Sequence, residues 1–179
     1  MLEIKLYGGN LSVSRKVSII AILSIAVFIS KIFLPSPIDK FMIVFQGIFY
    51  ALANFTIGRI GGTLTGVLSG LLTQFWRPVF IPFTFLFAVF YGFMIDCFIS
   101  IFRVKTLSRA VSTVRLIVAL SLASAILGIS SMYVTVMMGV MPWAPLIYLM
   151  ILIGGTLNGV AAGYLTAQIW NKYLVKRWK

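Results

Sequence analysis

The sequence predicts an all-α integral membrane protein, a compact bundle of six transmembrane helices with both termini in the cytoplasm. Three observations predict it. First, 61% of the 179 residues are hydrophobic, 10% are charged and the mean hydropathy is +1.08, more apolar surface than one soluble core of this length hides. Second, the apolar residues gather into runs near the ~20 residues that cross about 30 Å of hydrocarbon. Third, those runs show no two-residue alternation. Barrel strands are therefore excluded, and helices satisfy the backbone amides within each segment.

The elements follow in order. The polar, basic leader MLEIKLYGGNLSVSRK runs into an apolar stretch at 17–34 with no small-residue cleavage site at a suitable distance, so that stretch is expected to stay as the first span. Spans at 41–57 and 60–76 are joined by the short Gly58-Arg59-Ile60, with Arg59 as the punctuation. A fourth span, 80–102, starts among Pro78 and Pro82, which mark an outer turn and a helix start. The basic stretch 103–115, RVKTLSRAVSTVR, is the longest inner loop, suited to set topology, lie on lipid or receive a partner. The fifth and sixth spans, 114–138 and 145–170, flank a turn carrying Pro142, Trp143 and Pro145. All six form one membrane domain.

Charge sets the orientation. With the N-terminus inside, Lys5, Arg15, Lys16, Arg59, Arg103, Lys105, Arg109, Arg115, Lys172, Lys176, Arg177 and Lys179 are cytoplasmic, against Lys31, Lys40 and Arg77 outside. That bias fits the positive-inside rule for a multi-pass protein of the cell membrane. The net charge of +12 is spread over every inner loop, so topology and anionic membrane lipid account for it and nucleic acid is not an expected partner.

Composition also limits the chemistry. There is no histidine and one cysteine, Cys97, so neither a metal site nor a disulfide framework is expected. Only Glu3, Asp39 and Asp96 are acidic, too few for paired carboxylate catalysis, and no cofactor or enzymatic activity is expected.

One string occurs twice, as GGTLTGVLSG at 61–70 and GGTLNGVAAG at 154–163. Its glycines fall four apart, Gly62, Gly66 and Gly70 in one copy and Gly155, Gly159 and Gly163 in the other, and so line one helix face. A face without side chains lets a neighbouring backbone come close. A phosphate loop would need Lys and Ser or Thr after the last glycine, at a helix start in water. Helix packing is the expected role. The two copies fall on the third and sixth spans, which run in opposite directions, as inverted transporter repeats do, although the rest of the two halves does not align.

Six short spans, RKVSIIAILSIAVFIS at the first helix, the block GRIGGTLTGVLSGLLTQFWRPVF, then FLFAVFYGFMIDCFI and a glycine-rich last helix ending in NKYLVKRWK resemble the substrate-binding S component of energy-coupling factor vitamin transporters. The RIGGTL block looks most like components for thiamine or its pyrimidine precursor. The resemblance implies capture of a small vitamin or precursor from outside by a subunit that is not itself an ATPase. It also implies docking on a transmembrane coupling subunit driven by cytoplasmic ATPases. This chain has no Walker lysine motif, which agrees. The family's small-residue docking motif on helix 1 survives only as Ala26 to Ser30, with Ser18 and Ala21 nearby.

Depth selects candidate ligand contacts. At about 1.5 Å per residue, Gln46, Gln74, Trp76, Arg77, Thr84, Trp143 and Tyr148 fall in the outer half and Asn158 near the middle. Amides facing lipid cost free energy without a partner, so Gln46, Gln74 and Asn158 should face inward. The tryptophans offer stacking surfaces or interface anchors, and Arg77 offers a pair for an anionic group or a snorkelling charge. Asp96 is the one acid within a span and is expected in an inner ion pair with Arg59, with Asn54 and Arg103 also in reach. A rival to solute capture is a small structural subunit of a larger membrane complex.

Overall fold

The structure, a computed structural model, describes residues 12–32, 43–76, 82–104, 110–139 and 142–175. Among them are six helices and no strand: α1 (Val13–Ile32), α2 (Ile43–Ile57), α3 (Gly61–Trp76), α4 (Phe83–Ile101), α5 (Thr113–Met137) and α6 (Pro145–Ile169), the last continued by a π-turn at Trp170–Leu174. The all-α class read from composition is the class observed. Four segments, Val13–Ile32, Phe83–Ile101, Thr113–Met137 and Pro145–Leu174, are long and apolar enough to cross a bilayer, the mark of a membrane-embedded protein.

Local chemistry explains the boundaries. α1 begins four residues ahead of the apolar run, because Arg15 and Lys16 are good helix formers whose long stems tolerate the first turn. Ser12 O accepts the Lys16 amide there at 3.2 Å. α2 ends at Gly58, whose φ of +118° only glycine adopts without strain, and three residues later α3 has begun. Pro145 opens α6, where its missing N–H costs nothing.

Contacts fix the directions of five helices. Gly62 lies against Gly92, Gly66 against Ala88 and Gly70 against Phe85, so α3 and α4 are antiparallel. Gly155 meets Ser124, Gly159 meets Ser121 and Gly163 meets Ile117, so α5 and α6 are antiparallel too. Tyr50 pairs with Tyr91 and Asn54 with Asp96, which makes α2 and α4 parallel. Gly47 sits on Ala162 and Phe55 on Trp170, which makes α2 and α6 parallel at a constant offset of 115.

α2 is the hub. It packs against α1, α3, α4, α5 and α6, and it carries Tyr50, Ala51, Ala53 and Phe55 fully buried. The Phe55 and Trp170 rings meet edge to face with centroids 5.1 Å apart, a favoured aromatic geometry. Lipid gives helices no hydrophobic reason to associate, so such close packing and interhelical hydrogen bonds hold the bundle.

Candidate functional site

The face of α2 turned to α3 is polar. Gln46, Tyr50 and Asn54 recur every fourth residue, and Thr73, Ser69 and Thr65 recur every fourth residue on α3. The two helices are antiparallel: the Tyr50 and Ser69 hydroxyls are 2.8 Å apart, and nearer the turn Gly61 lies against the backbone of Ala53 and Asn54. All six polar residues are buried. Each hydroxyl on α3 also finds a carbonyl on its own helix: Thr65 donates to Gly61 O, Ser69 to Gly66 O and Thr73 to Ser69 O. Ser24 of α1 donates to Thr65 O at 3.2 Å. On the other side of α2, the Tyr91 and Ser124 hydroxyls are 2.8 Å apart and join α4 to α5.

At the end of this seam nearest the α2–α3 turn lies Asp96. Its Oδ1 accepts Asn54 Nδ2 at 2.7 Å and the Gly62 amide at 3.0 Å. Its Oδ2 accepts the Thr63 amide and the Thr63 hydroxyl, both at 2.7 Å. Four donors converge on one carboxyl, the pattern that suits an ionised acceptor. Two of those donors are first-turn amides of α3, which an N-cap side chain normally satisfies. Here Ile60 holds the N-cap position, its carbonyl taking the Leu64 amide, and has no oxygen in its side chain. Asp96 therefore caps α3 from the neighbouring helix, and its charge faces the positive end of the α3 dipole. Gly62 makes the approach possible, because a Cβ there would stand 2.6 Å from Asp96 Oδ1. Of the partners foreseen for Asp96, Asn54 bonds it directly, and Arg59 lies exposed in the turn that leads into α3.

At the opposite end, Ile43, the first described residue of α2, is set level with Asn158 by the α2–α6 offset. α6 continues outward from Asn158 to Pro145, about 20 Å at the α-helical rise, and α5 runs beside it to Met137. The parallel register of α2 and α4 brings Thr84 within a turn of the same height. Near this level Gln46 is buried on the first turn of α2, and Asn158 and Thr84 are half-buried.

The remaining sequence candidates are placed differently. Gln74 and Tyr148 are half-buried, on the last turn of α3 and the first turn of α6. Trp76 and Trp143 stand 61% and 70% exposed at helix ends. Arg77 lies outside the described residues. On α1, Ser24 and Val27 face the bundle; Ser18 is exposed, and Ala21, Ala26 and Ser30 are half-buried, Ser30 bonding Val27 O. Tyr50, Tyr91, Thr63 and their serine partners were not singled out from sequence. The four-residue recurrence of Gln46, Tyr50 and Asn54 was the available signal.

No known protein family, curated protein or solved structure matches this chain.

Proposed function

We propose that this protein is the solute-capturing subunit of a membrane importer, binding a small vitamin or vitamin precursor at the Gln46 end of α2. In this reading all six helices cross the cell membrane, both termini are cytoplasmic and the Gln46 end of the bundle faces outward. One observation carries it: a buried amide, Gln46, sits on the first turn of α2 within an apolar bundle, near the level of half-buried Asn158 and Thr84. A buried amide needs partners. A polar solute bound beside Gln46 supplies them. The resemblance to S components supports the vitamin class and supplies the expected partners, a transmembrane coupling subunit and cytoplasmic ATPases. The chain binds and presents its cargo without transforming it.

The test is thermal unfolding of the chain purified alone in lipid nanodiscs, against thiamine, its pyrimidine precursor and a panel of other vitamins. A ligand bound only by the folded state at 100 times its Kd stabilises by about 2.7 kcal/mol, so one compound should raise the midpoint by several degrees, and Gln46→Ala should remove most of that rise. Silence across the panel, with isolation only inside a larger assembly, would favour the structural-subunit reading. Cysteine accessibility from each side of the membrane tests the six crossings.

A further inference from the structure

The cytoplasmic assignment above rests on charge; the structure shows how some of those charges are held. α4 ends at Phe102, and the next residue, Arg103, takes φ +49°. Its amide donates to Ser100 O at 3.1 Å, and the Val104 amide donates to Ile99 O at 3.0 Å. These two bonds are the Schellman pattern, in which the left-handed position is normally glycine. An arginine there is strained, and strain retained in a fold points to a use for the side chain.

Ten residues further on, a second device fixes the start of α5. Asn171, inside the π-turn that ends α6, accepts the Val111 amide at 2.7 Å and donates to Val111 O at 2.9 Å. π-turns within helices are rare and gather at functional sites. Val104 and Val111 are both buried in the same core cluster as Trp170. The end of α4, the start of α5 and the end of α6 are thus tied together. Each tied segment carries an exposed cation: Arg103 beside Val104, Arg115 one turn beyond Val111, and Lys172 beside Asn171. Lys172 lies 5.5 Å from the centre of the exposed Tyr173 ring, a residue type favoured at membrane interfaces. Among the described residues the one carboxylate is Asp96, which is buried and already accepts four hydrogen bonds.

We propose that Arg103, Arg115 and Lys172 form a preorganised seat for the phosphodiester headgroup of an anionic phospholipid. The patch lies at the end of a membrane-embedded bundle, where headgroups are the phosphates at hand, and lipid attracts each surface cation with a strength worth roughly fivefold in partitioning. Fixing the backbone that carries the cations before the lipid arrives lowers the ordering cost of binding. This seat is at the end of the bundle opposite Gln46 and does not depend on solute capture.

The experiment compares the unfolding midpoint of the full chain in nanodiscs of phosphatidylcholine alone and of phosphatidylcholine with phosphatidylglycerol. The wild type should gain several degrees from phosphatidylglycerol. R103Q/R115Q/K172Q should lose most of that gain, a drop of roughly 100-fold in lipid affinity at about fivefold per charge. R103G separates binding from folding: glycine relieves the left-handed strain and raises the midpoint in phosphatidylcholine, while the phosphatidylglycerol gain shrinks. N171A keeps every charge and should also shrink the gain. Equal midpoints of the wild type in the two lipids, or an undiminished gain in the triple variant, overturn the proposal. So does an equal gain from inorganic phosphate in phosphatidylcholine, which would make the ligand a soluble anion.

Discussion

The two copies of the glycine string build two seams that look alike in sequence and differ in chemistry. Along α5–α6, a Cβ at Gly159 would meet Ser121 Cα and stand 2.6 Å from Leu120 O, and one at Gly163 would stand 2.6 Å from Ile117 Cα. Backbone rides on backbone, and the Ser121 and Thr166 hydroxyls have no hydrogen-bond partner. Along α3–α4, Gly66 does the same against Ala88 and Gly70 packs on the Ala88 and Phe85 side chains, but Gly62 admits the Asp96 carboxylate to the start of α3. The α3 copy is also flanked by the polar stripe of α2, while the α6 copy meets Gly47 of α2 through Ala162. Glycine spacing sets how close two helices come. What flanks the stripe decides what else the seam does.

Breaking the carboxylate should separate the seams most. Asp96→Ala leaves the Asn54 amide and two backbone N–H groups without their acceptor, at about 1–3 kcal/mol for each buried donor stranded. The expected loss is therefore about 3 kcal/mol or more, seen in denaturant unfolding, with faster amide exchange at Gly62 and Thr63 and unchanged exchange along α6. Asp96→Asn keeps one oxygen and should lose less. Equal exchange losses in α3 and α6 would show that the seams are not independent.

Adding a methyl to each stripe comes next. Gly159→Ala forces α5 and α6 apart and should cost about 1–3 kcal/mol. Gly62→Ala should cost more than Gly155→Ala, because the first displaces Asp96 Oδ1 and the second meets only Ser124 O at 3.0 Å. A reversed order would remove the chemical distinction between the two copies.

Tyr50→Phe breaks one interhelical hydroxyl bond and should cost about 1 kcal/mol, since Ser69 keeps its bond to Gly66 O. The smallest effect belongs to Gly154→Ala. No atom lies within 4 Å of a Cβ there, so stability should stay within about 0.5 kcal/mol.

The helical class was legible because apolar runs in lipid leave the backbone one solution. The glycine spacing carried the small faces, and the intramembrane acid drew attention to Asp96. Two of its four donors were invisible: the Gly62 and Thr63 amides have no side-chain signal, and the N-cap position shows isoleucine. Arg103 in a glycine position was equally hidden, since a left-handed residue is decided by the turn and not by its own preference. Depth alone ranked Trp76 and Trp143 beside Gln46, but exposure at helix ends separates them from the buried amide. The level of Gln46 relative to Asn158 and Thr84 needed the register of the helix contacts.

Solute capture is tested most directly by mass spectrometry of small molecules released from the chain purified alone, wild type beside Gln46→Ala. The account predicts one vitamin-class compound near one equivalent in the wild type and strongly depleted in the variant. The same compound retained equally by both proteins, or a wild type that releases none and binds none added at millimolar concentration, would contradict it.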